Sequence, residues 1–169
     1  MQEIRAVLSR FDLRYIYNCD ETAYYWRVQP DRGLSTQQLA GKKKDNERIS
    51  VMIIANGNGS EREPLWIIGT AKNPQCFKNV NINSLGCQYC WNKKAWTRTD
   101  IMIDYLECFN RKMAHQKRKV ILLLDNFSAH QAAVAQLGGD QGPSNVQILW
   151  LPKNTASAFQ PNDQGIIQT

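Results

Sequence analysis

Two apolar periods, one helical and one strand-like, alternate along this chain. At the start, Ile4, Val7, Leu8 and Phe11 fall at helical spacing and predict a short amphipathic helix up to about Phe11. Arg14 to Tyr25 (RYIYNCDETAYY) is aromatic and β-prone and predicts a strand passing through Asp20. A polar loop with Pro30, Gly33 and Gly41 follows over 30–47. Arg48 to Ala55 (RISVMIIA) and Pro64 to Thr70 (PLWIIGT) predict two more strands, joined through Asn56-Gly57-Asn58-Gly59, residue types that accept the positive φ of a tight hairpin. Residues 71–98, with Pro74, Gly86, three cysteines and two tryptophans, show no period and read as irregular. Helical spacing resumes from Thr99 to about Gln116 (Ile101, Ile103, Tyr105, Leu106, Phe109, Met113), with Thr99 or Asp100 as its cap. Val120 to Leu124 is an unbroken apolar run, the pattern of a strand buried on both faces. A short helix is expected at Gln131–Leu137, ended by Gly138-Gly139, then a fifth strand at Val146–Leu151 stopped by Pro152. Gln164-Gly165-Ile166-Ile167 opens a last helix.

The order β-β-β-α-β-α-β-(α) is that of an α/β protein with a ribonuclease H-like fold. It predicts a mixed five-stranded sheet, three antiparallel strands and then two helix-linked ones, flanked by helices. Right-handed crossovers place the strand that ends at Asp125 beside the first strand. At 169 residues the chain is one domain, 1–169, with a sizeable core. With 43% apolar and 21% charged residues it has the composition of a folded, soluble domain and not of a disordered segment. No apolar run approaches the roughly 20 residues that span a bilayer, so no membrane partner is expected. Charges interrupt the apolar N-terminal stretch, unlike a secretion signal. Five cysteines, an odd number, suit reduced thiols. The net charge of +6, with Lys42-Lys43-Lys44, Lys93-Lys94 and Lys117-Arg118-Lys119, favours a polyanionic partner, because neutralised phosphates release condensed counterions.

Charge changes the picture most at three acids. Asp20 lies within the first strand, Asp125 ends the fourth, and Asp163 (FQPNDQGII) sits at the start of the last helix. Each alone is an ordinary turn, surface or capping residue, and Glu21 is an equally good surface acid beside Asp20. Brought together, three carboxylates repel one another unless divalent cations neutralise them. Two Mg2+ or Mn2+ ions roughly 3.5–4 Å apart among such oxygen ligands suit phosphoryl transfer on a polynucleotide.

Five stretches then stand out in order: IYNCDETAYYW (16–26), KKKDNERISVMIIANGNGSEREPLWIIGTAKNPQCF (42–77), NKKAWT (92–97), KVILLLDNFSAH (119–130) and VQILWLPKNTASAFQPNDQGII (146–167). Through them the chain resembles the DDE superfamily endonuclease domain of pogo/Tigger/Fot1-type DNA transposases of the Tc1/mariner superfamily, whose relatives include centromere protein B and jerky-like proteins. The resemblance implies that Asp20, Asp125 and Asp163 are catalytic ligands of two metal ions. It implies DNA as partner (transposon ends and target), a homodimer when active, and a nuclear location. It also implies that the domain is incomplete at its C-terminus and lacks a helix-turn-helix region. Two other functions fit the same fold: a domesticated or decayed, non-catalytic DNA- or chromatin-binding protein, and a nuclease acting on RNA–DNA hybrids.

Weaker candidates surround the acids. Asn126 could orient the Asp125 carboxylate. His130 could approach the metal centre or a scissile phosphate, or hold the turn through hydrogen bonds. Gln160 and Gln164 flank Asp163 and could contact DNA, as could Lys42, Lys43 and Lys44. Cys87-x-x-Cys90 raises zinc, but a second ligand pair at matched spacing is lacking, so no zinc is expected. Trp91 and Trp96 could stack on unpaired bases, although core packing is the expectation for both.

Overall fold

The computed structural model describes residues 2–27, 47–139, 142–152, 162 and 167. A helix α1 (Gln2–Leu8) leads into β1 (Ile16–Arg27), which pairs antiparallel with β2 (Glu47–Asn56), and β2 pairs antiparallel with β3 (Leu65–Gly69). The β2–β3 connection closes as expected, with Gly59 at φ 70° donating its N–H to the Asn56 carbonyl. Helix α2 (Thr99–His115) then delivers β5 (Val120–Leu124), and α3 (Ser128–Gly138) delivers β6 (Val146–Trp150). Both late strands run parallel to their neighbours, β5 beside β1 and β6 beside β5. This is the ribonuclease H-like arrangement that the element order predicts.

With a further strand β4 (Cys87–Trp91), the sheet has six strands and not five, in the order β4-β3-β2-β1-β5-β6. The extra strand lies in the stretch expected to be irregular and pairs parallel with β3 from Leu65–Cys87 to Gly69–Trp91. Being an edge strand, it buries no regular face, so its sequence (CQYCW) carries no alternating signal. Two helix boundaries also differ. Helix α2 begins at Thr99 with Arg98 in the cap position, so neither Thr99 nor Asp100 is its N-cap. The Asp100 carboxylate accepts from the N–H of Ile101 and pairs with Arg98 instead. Helix α3 begins at Ser128, three residues before the expected Gln131, which puts His130 in its first turn. The last helix, expected from Gln164, falls largely outside the described residues.

Strand β5 shows why an unbroken apolar run belongs in the middle of this sheet. Val120, Leu122 and Leu124 face α2 and α3 in the main core, with Tyr17, Met52, Ile54, Leu106 and Phe109. Ile121 and Leu123 face the other way, against Ile16 and helix α1 through Val7 and Leu8. All five residues are buried, each worth about 1.5–3 kcal/mol of transfer free energy.

One edge of the main core is closed by Arg118. Its guanidinium donates to both Glu61 carboxylate oxygens at 2.7 and 2.9 Å, to the Arg14 carbonyl at 3.0 Å and to the Tyr17 hydroxyl at 3.3 Å. Its planar head also lies over the Tyr15 ring, 5.1 Å from the centroid. Burial, reinforced by the hydrogen bond to Glu61, pushes the Tyr17 phenol well above its usual pKa. Arg118→Ala removes the cation from this partly buried cluster and is expected to cost about 2–3 kcal/mol in urea unfolding. A loss under about 0.5 kcal/mol would show that the pair behaves as a surface salt bridge.

Candidate active site

Strand register decides which acids can meet. Partners across β1 and β5 are offset by 105 residues, as in Asn18 with Leu123, and Asp125 stands at that same offset from Asp20. Neighbouring strands lie about 4.8 Å apart, so the register carries the Asp20 and Asp125 backbones side by side where β5 ends. Asp20 has the strand parity of Ile16, opposite the main core, whereas Asp125 stands one residue past β5 and turns its carboxylate to His130. The Asp20 carboxylate accepts the N–H of Glu21 at 2.8 Å.

Beyond Leu124 the chain turns at once. The Asp125 carboxylate accepts the N–H of Phe127 at 3.1 Å, an Asx turn that aims the backbone into α3. Asn126 bridges away from the acid: its amide donates to the Leu151 carbonyl beyond β6, and its oxygen accepts from Gln131 at 3.1 Å. It therefore ties the end of β6 to α3, and its hydrogen bonds do not run to the Asp125 carboxylate.

His130 is fully buried and bound at both nitrogens. Nδ1 lies 2.7 Å from Asp125 Oδ1, and Nε2 lies 2.8 Å from Glu21 Oε1. Two carboxylate partners call for a ring protonated on both nitrogens. Burial pushes the His130 pKa down, but the hydrogen bonds and charges of Asp125 and Glu21 outweigh it and raise the pKa to about 10. In return the His130 hydrogen bond, against opposing burial, holds the Asp125 carboxyl below its usual range. Of the two roles open to His130, the structure thus shows a hydrogen-bonded brace, with no ring nitrogen left to bind a metal.

Glu21 is the residue that sequence reading undervalued. It is not a free surface acid: it shares the strand face of Tyr17 and Cys19, and its position on β1 brings its carboxylate to His130. The signal was the alternation itself, since Tyr17, Cys19 and Glu21 share one parity and Asp20 the other. A second missed feature is Asn18, buried within the strand. Its side chain donates to the Leu123 carbonyl at 3.3 Å and accepts the N–H of Asn162 at 3.0 Å. The Asn162 amide donates in turn to the carbonyls of Asn18 at 3.2 Å and Ile53 at 2.9 Å. Asn162→Ala strips one buried and one partly buried carbonyl of their shared donor and is expected to cost about 1–3 kcal/mol, read from thermal unfolding.

Asp163, Gln160, Gln164 and Lys42 to Lys44 lie outside the described residues. Among the described residues no group of three or more His, Cys, Asp or Glu side chains is placed to hold a metal ion. Cys87 and Cys90 are free thiols on β4, partly exposed. No helix of the described residues is long and apolar enough to cross a membrane. Trp91 and Trp96 are not core residues: 48% and 49% of their surfaces are exposed.

The structure is thus a ribonuclease H-like sheet with one aspartate within β1 and another directly after the adjacent β5. Within that fold the chain belongs to the DDE superfamily endonuclease family, whose sequence profile matches residues 46–169. It is 34% identical over 170 residues to CENP-B homolog protein 2 of Schizosaccharomyces pombe, covering 99% of this chain and 33% of that protein. It is 31% identical over 160 residues to the human Jerky protein homolog, covering 89% of this chain and 28% of that one. Among solved structures it is similar to the Mos1 transposase in a paired-end complex with the left transposon end, with a TM-score of 0.56 at 14% identity. That similarity covers 96% of this chain and 43% of the transposase, and it supports the fold. The chain thus spans about a third of the length of the curated relatives it matches.

Proposed function

We propose that this domain is the metal-dependent DNA-nicking and strand-transfer unit of a pogo-like transposase, with Asp20, Asp125 and Asp163 as its metal ligands. The observation that carries the reading is the shared register of Asp20 and Asp125 at the C-terminal end of β5, in a chain of this family. The donor chemistry fits a hard cation. Both acids offer carboxylate oxygens, and among the described residues no group bonds the second oxygen of Asp125, whose side chain is 35% exposed. Support for Asp163 comes from its neighbour Asn162, which is anchored to β1 and β2 through Asn18 and Ile53. When bound, Mg2+ or Mn2+ supplies Lewis-acid charge at the phosphodiester and offsets the repulsion among the acids.

The chain's own residues then have separate tasks. Asp20 and Asp125 present oxygen ligands from two rigid strands. His130, held by Glu21, keeps Asp125 ionised and fixes the orientation of its carboxylate. DNA is the substrate class, the nucleus is the location, and a homodimer is the acting form. The relatives named for CENP-B and Jerky favour a second reading, a domesticated DNA-binding protein that keeps the fold without the chemistry. One assay separates these readings: nicking of supercoiled DNA and of transposon-end duplexes in Mg2+ or Mn2+ against EDTA, with an RNA–DNA hybrid alongside. Metal-dependent nicks in DNA are expected. Binding without nicks supports the domesticated protein, and cleavage confined to the hybrid supports the ribonuclease.

A further inference from the structure

The least explained surface lies where β4 turns into α2, at one end of the β1–β2 ribbon. Trp96 is exposed there, yet its backbone is fixed on every side. Asn92 is buried; its side-chain oxygen accepts the N–H groups of Lys94 and Trp96 at 3.1 and 3.2 Å, and its amide donates to the Trp96 carbonyl at 2.7 Å. Ala95, fully buried and at φ 51°, offers its carbonyl to the Ser50 hydroxyl at 2.6 Å. A non-glycine residue at positive φ is strained, and here packing and two hydrogen-bonded elements hold it in place. An indole left in solvent on so rigid a mount is not explained by folding.

Its neighbours are cations. The Arg48 guanidinium lies 5.4 Å from the Trp96 ring centroid and the Lys94 ammonium 5.7 Å. Arg48 donates to Ser50 at 2.9 Å, but its Nε is buried with no partner, an unspent donor. Among the described residues no carboxylate pairs with Arg48 or Lys94; Glu47, next in line, is taken by Arg27. Directly across the ribbon from Arg48 stands Tyr25, 44% exposed and on the same face. Tyr25, Arg48, Trp96 and Lys94 therefore form a row of alternating rings and positive charges. Tyr25 and Arg48 pair five residues along β1 from Asp20, so this end of the row lies roughly 17 Å along the ribbon from that acid and on the strand face of Tyr17 and Cys19.

Rings in alternation with cations match the repeat of a single strand of nucleic acid, in which each base is an aromatic face and each phosphate an anion. We propose that Trp96 is a stacking platform for an unpaired DNA base, with the adjoining phosphates held by Arg48 and Lys94. This rests on the reading that the domain works on DNA, but not on its being catalytically active. A duplex keeps its bases stacked within itself, so the platform discriminates in favour of frayed, flipped or overhanging nucleotides.

The test compares a duplex bearing a short single-stranded extension with the same duplex blunt-ended, both in EDTA so that binding is seen without cleavage. Trp96→Ala is expected to weaken binding of the extended DNA about tenfold or more, to shift the blunt duplex less than about twofold, and to abolish quenching of 2-aminopurine in the extension. Trp96→Phe keeps most of the affinity. Arg48→Ala and Lys94→Ala each lower the salt slope by about one, on both substrates. In the unaltered protein, 5-iodouracil in the extension should photocrosslink to Trp96, a readout that requires no folded variant. Equal affinity of Trp96→Ala for the extended DNA, equal losses on both substrates, or crosslinks mapping only elsewhere would overturn the proposal. Asp125→Asn separates the two readings. If it binds the extended DNA like the parent while no protein nicks DNA, the platform stands and the catalytic reading falls; nicking with indifference to Trp96 gives the reverse.

Discussion

Asp125→Asn is expected to lower Mg2+-dependent nicking about a thousandfold or more while leaving the domain folded. The argument starts from charge. Asparagine matches aspartate in size and can still accept the Phe127 N–H, so the Asx turn into α3 survives. What is lost is the negative charge at the end of β5 and, on the proposed metal-dependent reading, one hard oxygen ligand; metal charge at such sites supplies several kcal/mol of transition-state stabilisation. Asp20→Asn should be equally severe, because it stands at the same register on β1. Glu21→Gln is the discriminating control. Glu21 reaches Asp125 only through His130, so its loss should cost no more than about tenfold. Mn2+ binding followed by electron paramagnetic resonance gives a reading independent of turnover: it should be lost in Asp125→Asn and kept in Glu21→Gln. Equal losses in all three variants would mean that the acids act as one structural cluster and not as ligands.

The second large effect concerns stability. His130→Leu, measured in EDTA, is expected to destabilise the fold by about 3–5 kcal/mol, on the order of 10 °C in melting temperature. Leucine fills the buried space, so the loss comes mainly from two carboxylates stripped of their shared cation. Adding Glu21→Gln to His130→Leu should recover part of the loss by removing one of those charges. No recovery would point to packing instead. The same residue predicts a pH dependence. Folding raises the His130 pKa from its ordinary 6.5 to about 10, so its contribution is complete below about pH 6.5 and is lost as pH rises through about 10. The stability gap between parent and His130→Leu should therefore narrow from pH 7 to 10.5, as followed by urea unfolding. A constant gap would show that the ring is not the bridging cation described.

Much of this was legible in the sequence because it was local. Val120–Leu124 announces a central strand, and Asp125 is visible at its end as soon as the strand is drawn. The pairing of β5 with β1 follows from chirality and element order, and with it the common 105-residue offset of Asp20 and Asp125. The sequence hid what depends on distant partners. Strand β4 exists through its bonds to β3, and CQYCW has no period of its own. The start of α3 was obscured because Asp125, Asn126 and Phe127 read as a polar turn, although the turn hands directly to a helix whose third residue is His130. Glu21 looked like Asp20's neighbour on the surface, yet one step along a strand is a change of face. Trp96 defied the ordinary rule for tryptophan, since its exposure comes from an Asn92-centred turn that hydrophobicity does not encode.

The offset between β1 and β5 separates two kinds of change in length. Asp20 and Asp125 are neighbours because two strands lie in register, and everything between them in sequence is an excursion that leaves and returns. Residues added at the Gly57–Gly59 turn or in the connection ahead of β4 lengthen that excursion and leave the register alone. A single residue added between Leu123 and Asp125 does the opposite: it breaks the 105-residue offset and displaces the acid from its register with Asp20. Length is therefore free to change within the excursion and is constrained only in the few residues on either side of each acid.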